Sequence, residues 1–220
     1  MEIREAIRTN GSVRNFTDEP VDDATVHAVL DDARFAPSGG NRQGWRVAVV
    51  KDVALRRELA ALMQPVWNEY VAMGAGGVTP FNVITDAAPI PDAPHATNPL
   101  LDAIETVPVV LVVAADTNLL ATMDKDLDRP NLTGGASVFP FCWNLMLSAR
   151  AHGLGGVMTT FLTRAEPLAA PLLALPPDHA LMATIFLGHP VHQPTKLRRY
   201  PVEDFARIDR FDGPPFTAQP

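Results

Sequence analysis

Residues 137–160, SVFPFCWNLMLSARAHGLGGVMTT, decide the fold class. Val138, Phe141, Cys142, Leu145, Met146 and Ala149 recur at helical spacing and trace one apolar face. Phe139, Trp143 and Leu147 lie off that face, so the helix predicted from about Ser137 to His152 is apolar nearly all round. Such a helix is buried on all sides, either in a core or across a subunit interface. Pro140 is tolerable only in its first turn, where the missing N–H costs no hydrogen bond. Gly153 then ends the helix as a left-handed cap, and a strand is predicted near 155–160. The order matters, because Gly153-Leu154-Gly155-Gly156 closes a helix and enters a strand. The glycine fingerprint of a dinucleotide-binding fold does the reverse, following a strand and opening a helix, so that reading is set aside.

Working outward, residues 2–9 read as a short helix stopped by Asn10-Gly11. A second helix follows Pro20 and Asp22, with Val26, Val29, Leu30 and Ala33 at helical spacing and Pro37 closing it. Arg46 to Lys51 reads as a strand, and Leu55 to Val71 as a helix that Pro65 should kink or split. Eight of the 26 residues from 74 to 99 are Gly or Pro, which predicts a long irregular lid. Val107 to Ala115 is a strand, followed by a short polar helix near 117–127. Thr163-Arg164-Ala165-Glu166 reads as a capping box opening a helix to about Leu175. Leu181 to Leu187 is a last strand, and a polar, Pro-rich tail runs on from about residue 189. Strands and helices mix without regular βαβ alternation. The expectation is therefore one α+β domain over residues 1–220.

Composition limits the partners. The chain has 18 Lys and Arg against 25 Asp and Glu, a net charge of −7, so nucleic acid or an anionic membrane would meet net repulsion. The run Val107 to Ala115 is far too short to span a bilayer. One cysteine permits no intrachain disulfide and suits a reducing compartment, and the charged start lacks an apolar secretory core, so a cytoplasmic protein is expected. Phosphate-loop, zinc-protease, C-x-x-C and nucleophile-elbow patterns are absent from the sequence. His189 and His192 lack the further ligands a metal needs, and no metal site is assigned. Cys142 sits on an apolar helix face and reads as core.

Three separated segments carry candidate chemistry. Ser12-Val13-Arg14-Asn15-Phe16, just past a helix end, offers a hydroxyl and a guanidinium that can converge on an anion. Ala36-Pro37-Ser38-Gly39-Gly40-Asn41-Arg42-Gln43-Gly44-Trp45-Arg46 combines glycines, which permit close backbone approach, with Ser, Asn and Gln hydrogen-bonding groups beside an aromatic. Lys196-Leu197-Arg198-Arg199 is a basic cluster in an acidic chain. Taken singly, Arg14 reads as a surface charge, the second segment as a helix-to-strand turn with polar caps, and the third as a solvated cluster.

Together with His152-Gly153-Leu154-Gly155-Gly156 and Gly188-His189-Pro190, and in this order, the three segments resemble the nitroreductase family of FMN enzymes over roughly residues 1–200. The resemblance implies a central mixed, mainly antiparallel sheet flanked by helices, in an intertwined homodimer. It implies FMN as cofactor and NADH or NADPH as electron donor. Ser12 and Arg14 would meet the flavin, Arg14 reaching toward its N1/O2 edge, where positive charge favours the reduced ring. Lys196 and Arg198 would hold the phosphate. Pro37, Ser38, Gly39 and Asn41 would approach from the partner subunit, with Gln43 of the same segment also a cofactor-binding residue. Met158, Thr159 and Thr160 would present a backbone amide to N5.

Asn10 stands where the family usually carries an arginine phosphate ligand. Loss of that contact would weaken FMN by roughly one to two powers of ten, with Arg8 or Arg199 as candidate replacements. The implied activity is ping-pong reduction of small organic acceptors (nitroaromatics, quinones, enones or flavins). No side-chain acid, base or nucleophile is required. The alternatives are a non-catalytic flavin-storage protein on the same scaffold and a flavin-dependent dehalogenase or dehydrogenase. The all-round apolar helix at 137–152 independently motivates the dimer.

Overall fold

The computed structural model describes residues 1–85 and 88–218. Its helices are α1 (Ile3–Thr9), α2 (Asp23–Ala33), α3 (Val53–Ala75), α4 (Pro99–Asp102), α5 (Phe139–Ala151), α6 (Phe161–Arg164), α7 (Glu166–Leu172) and α8 (Val202–Phe205). The strands β1 (Trp45–Val49), β2 (Val109–Asp116), β3 (Gly155–Thr159) and β4 (His179–Gly188) form one sheet in the order β1-β2-β4-β3. Every pairing among them is antiparallel, so the α+β class read from the sequence holds. Among the described residues, no helix is long and apolar enough to cross a membrane.

The sheet is buried on both faces, which explains the unbroken apolar run of β2. Alternate residues serve two cores. Val109, Leu111, Val113 and Ala115 join α2 and α5 on one side. Val110, Val112 and Ala114 join α3, α4, α6 and α7 on the other. Each fully buried aliphatic side chain contributes roughly 1.5–3 kcal/mol. A register shift between Val113 and Ala114 pairs them with Ala183 and Leu181. The extra residue on β4 carries Leu181 to the opposite core from Ala183.

Helix α5 buries its predicted face completely, and Trp45 stacks on Phe141 with ring centroids 5.0 Å apart. Pro140 occupies its first turn, and Gly153 at φ +80° closes the turn that follows it. The other side of the helix is bare, with Phe139 40% and Trp143 44% exposed. Burial raises the Cys142 thiol pKa to about 12, which makes it an inert core residue.

Three local expectations are corrected. Helix α3 runs unbroken through Pro65. Leu59 and Met63 before the proline, and Val66 and Met73 after it, are all buried, and this packing offsets the lost backbone bond. The polar helix near 117–127 reduces to a single 3₁₀ turn, Thr117–Leu119. There the Asp116 carboxylate accepts from the Asn118 amide, and the Asp124 carboxylate accepts from the amides of Leu132 and Thr133. Asp116 thus caps the short turn, and Asp124 holds the loop that follows it. The capping box does not form. Thr163 lies inside α6, and the Glu166 carboxylate instead accepts from the Leu181 amide at 2.6 Å.

After α3 the chain is irregular up to Asn98, and residues 86–87 of the expected lid lie outside the described residues, as do 219–220 of the expected single domain. The far half of this segment is pinned along α3. Gln64 Nε2 donates to the Ala96 carbonyl, the Ala96 amide donates to Asn68 Oδ1, Trp67 Nε1 donates to the Thr97 carbonyl, and the Ile90 amide donates to Glu69 Oε1.

A buried arginine ties α3 to the sheet. Arg56 is 7% exposed and donates to the carbonyls of Val50 (2.8 Å), Val107 (2.6 Å) and Glu105 (3.4 Å), at the end of β1 and the approach to β2. Arg56→Met keeps the aliphatic stem but leaves buried carbonyls unpaired. It is expected to lower unfolding free energy by about 3 kcal/mol in urea titrations.

Candidate functional site

The N-terminal loop and the C-terminal tail are stitched together beside β3. The Val13 amide donates to the Gly156 carbonyl at 2.8 Å, the Gly11 amide to Pro194, the Thr17 amide to His189, and the Val191 amide to Asn15. Gln193 Nε2 closes the junction by donating to the carbonyls of Thr9 and Gly11. A Cβ on Gly155 would stand 2.6 Å from Val13 Cγ2, so the glycine is required for this close approach. The loop bearing Asn10, Ser12 and Arg14, the strand bearing Met158 and Thr159, and the tail leading to Lys196 and Arg198 therefore share one edge of the sheet.

Their side chains do not share one crevice within the chain. Arg14 lines a cleft of about 120 Å³ with Asn15, Phe16 and residues of α4, whereas Arg198 lines another with Arg199, Tyr200 and Asp204. Arg14, Lys196 and Arg198 have no ion-pair partner among the described residues, although acidic residues are in excess. Two buried polar atoms at the same edge, Asn10 Nδ2 and Thr159 Oγ1, find no hydrogen-bond partner. Arg150 Nε, His179 Nδ1, Thr184 Oγ1 and Gln193 Oε1 are unpartnered in the same way among the described residues.

The second segment lies elsewhere. Pro37, Ser38, Gly39, Asn41 and Gln43 precede β1, at the far edge of the sheet. Their loop is held by the Gly39 amide donating to Ser137 Oγ at 3.0 Å and by the Gln43 amide donating to Ser38 Oγ at 3.0 Å. Asn41 (φ +52°) and Gln43 (φ +51°) both adopt left-handed backbone, strain of roughly 1–3 kcal/mol each that is often found where a ligand is clamped. Trp45 is in register with Ala115 and hence Ala180, while Gly156 pairs with Leu187. Three strand spacings across and seven residues along put Trp45 and Gly156 on the order of 25 Å apart. One copy of the chain cannot bring both segments to one small ligand.

Thr160 begins a third feature that the sequence did not single out. A cavity of about 410 Å³ opens between α3 and α6, lined by Tyr70, Phe81, Thr160, Phe161 and Arg164 among others. The sequence alone leaves Trp67, Tyr70 and Phe81, in or near the expected lid, as core or interface residues, with one of them open to stacking on substrate. The pairing of Glu69 with Arg164 is a contact across 95 residues with no local sequence signal. Gln193 was overlooked in favour of its histidine neighbours. Only its place among carbonyls of the N-terminal loop reveals its role.

The antiparallel sheet, its flanking helices and the tail clamped along its edge define an α+β protein, and comparison with known proteins specifies the family. The profile of the Nitroreductase family matches residues 7–189, from α1 through β4, and the chain belongs to that family. It is 31% identical over 192 residues to the 5,6-dimethylbenzimidazole synthase of Rhodobacter capsulatus, covering 86% of this chain and 83% of that protein. It is 26% identical over 208 residues to the nitrobenzene nitroreductase of Ectopseudomonas oleovorans, covering 84% and 86%. In fold it is similar to the NADPH:FMN oxidoreductase of Vibrio harveyi complexed with NAD⁺, with a TM-score of 0.68, 22% identity, and 95% and 77% coverage.

The loop facing the Pro37–Gln43 segment is organised by one carboxylate. Asp124 is held well below the usual carboxylate range by the Thr133 hydroxyl first, then by the Leu132 amide, the Arg129 guanidinium and the Thr133 amide. Its folded pKa lies below the unfolded one, so its stabilisation is fully present above the ordinary carboxylate range. That stabilisation is lost as pH falls through the depressed folded value. The stability gap between the wild type and Asp124→Asn is therefore expected to be widest near pH 6. It should close progressively below about pH 4, as read from urea midpoints across the series.

Proposed function

We propose that the chain is a homodimeric, FMN-dependent NAD(P)H oxidoreductase that reduces small organic acceptors such as nitroaromatics, quinones, enones or flavins by a ping-pong cycle. The observation that supports this reading is the stitched edge, which brings the loop bearing Asn10, Ser12 and Arg14, the strand bearing Met158 and Thr159, and the tail leading to Lys196 and Arg198 to one side of the sheet. That set fits a phosphorylated, hydrogen-bonding ring system. Bound FMN supplies the two-electron chemistry, accepting hydride from the nicotinamide and passing reducing equivalents to the acceptor.

The protein's part is binding, orientation and charge. Lys196 and Arg198 hold the phosphate, and Arg14 with Ser12 meets the polar edge of the ring, where positive charge favours electron uptake. Backbone amides at Met158, Thr159 and Thr160 face the reacting side. Asn10, neutral where the family resemblance implies an arginine, contributes a hydrogen bond only. The segment Pro37, Ser38, Gly39, Asn41 and Gln43 completes the site from a second copy, since within one chain it lies at the diagonally opposite corner of the sheet. A cytoplasmic setting is consistent with the single, buried cysteine.

The purified protein should be yellow, and NADH or NADPH should bleach it until an acceptor restores the colour. A colourless protein that takes up no added FMN overturns the reading. Replacing Lys196 with Ala should weaken FMN roughly ten- to hundredfold, measured by quenching of flavin fluorescence. The exposed Phe139 and Trp143 supply the dimer's apolar contact. Trp143→Glu is expected to shift the sedimentation coefficient from dimer to monomer and to release FMN with it.

A further inference from the structure

The cavity between α3 and α6 is built for more than a bare ring. Tyr70 stands edge-on to Phe161, with centroids 5.9 Å apart at 67°, and lies 6.4 Å from Phe81. Phe81 holds this position with a left-handed backbone (φ +53°), which a bulky residue rarely adopts. Above its ring, 4.4 Å from the centroid, lies the guanidinium carbon of Arg164. Arg164 Nε is 3.4 Å from Glu69 Oε2, and Glu69 is itself fixed by accepting the Ile90 amide. The guanidinium is thus oriented on one edge by a carboxylate and on one face by an aromatic ring. Its side chain stays 47% exposed, and its terminal nitrogens make no hydrogen bond with the described residues. Thr160 joins this cavity directly to the residues assigned to the flavin.

We propose that this cavity is the acceptor's binding site and that it selects planar rings bearing a carboxylate. The aromatic residues take the ring, and the terminal nitrogens of Arg164 take the carboxylate in a bidentate pair. The proposal rests on the flavin reading given above, because it is that reading which makes the ligand an electron acceptor. A phosphate of the nicotinamide donor shares the chemistry of an anion near a ring. The volume of about 410 Å³ suits a substituted benzene or small bicycle and is too small to hold a dinucleotide.

The test uses benzoate, with benzyl alcohol as the neutral probe, titrated by calorimetry into the whole protein. The wild type should bind benzoate at least tenfold more tightly than Arg164→Met does, while benzyl alcohol distinguishes the two by less than twofold. Arg164→Lys should recover only part of the benzoate affinity, because an ammonium cannot pair bidentately. In the flavin-loaded enzyme, the ratio of kcat/KM for 4-nitrobenzoate to that for nitrobenzene should fall at least tenfold in Arg164→Met. Equal benzoate affinity in the two proteins, or an unchanged ratio, overturns the proposal. So does a tenfold slower reduction by NADPH in Arg164→Met without loss of benzoate binding, which would assign the arginine to the donor. The calorimetric arm needs no flavin turnover, so failure of the flavin reading and failure of this proposal give different results.

Discussion

The bond from the Val13 amide to the Gly156 carbonyl is the constraint on which the site depends. It fastens a loop from the start of the chain to the first residues of β3, and only a glycine at 155 lets the two backbones approach so closely. Once that loop is fixed, Gln193 can reach the Thr9 and Gly11 carbonyls, and the tail follows it back along the same edge. Residues nearly 200 positions apart in sequence thereby acquire a common frame without a disulfide or a metal. Closing so long a loop costs entropy that grows only slowly with length, so a handful of backbone bonds and a buried Val13 are enough to hold it.

The two-sided core then determines what one copy of the chain can do. Because β2 and β4 are buried on both faces, the sheet is a rigid slab, and its opposite corners cannot approach each other. The strained loop before β1 and the stitched edge beside β3 are held on that slab at a separation no side chain spans. Meanwhile α5 presents Phe139 and Trp143 to solvent on the side its own core leaves uncovered. The exposed apolar surface and the separation of the two candidate segments are consequences of one architecture, and the proposed pairing of copies would relieve both.

Much of this was legible in the sequence. The apolar periodicity of α5, the Gly153 stop and the strand runs of β2 and β4 are local signals, and each is realised within about two residues. The misreadings have a common physical origin in side chains that found distant partners. Glu166 caps no helix because the Leu181 amide needs an acceptor, and Pro65 breaks no helix because buried neighbours on both sides hold it in place. Asp124 gathers amides from eight and nine residues on and organises a loop where the sequence pattern predicts the end of a helix. The candidate site was legible as three motifs, but their division between two corners of the sheet was not, because strand order is not written in local pattern. Arg164 and Glu69 carry no local signal at all.

Charge placement gives the site its direction. In a chain with seven more acids than bases, only half of the exposed cations find a carboxylate among the described residues, among them Arg34 with Asp31, Lys51 with Asp23, Arg57 with Glu105 and Arg129 with Asp124. Arg4, Arg8, Arg14, Arg42, Lys196, Arg198, Arg199 and Arg207 do not, among the described residues, and all but Arg42 lie on α1, the loop after it or the tail, in more than one cleft. Like charges gathered without counterions repel one another, a cost that an acidic chain could relieve by pairing them. Keeping them free stabilises nothing in the empty protein. It raises the local potential where an anion is to be held, against a net charge that repels anions everywhere else. The basic edge is therefore best understood as a binding feature maintained at the expense of the fold.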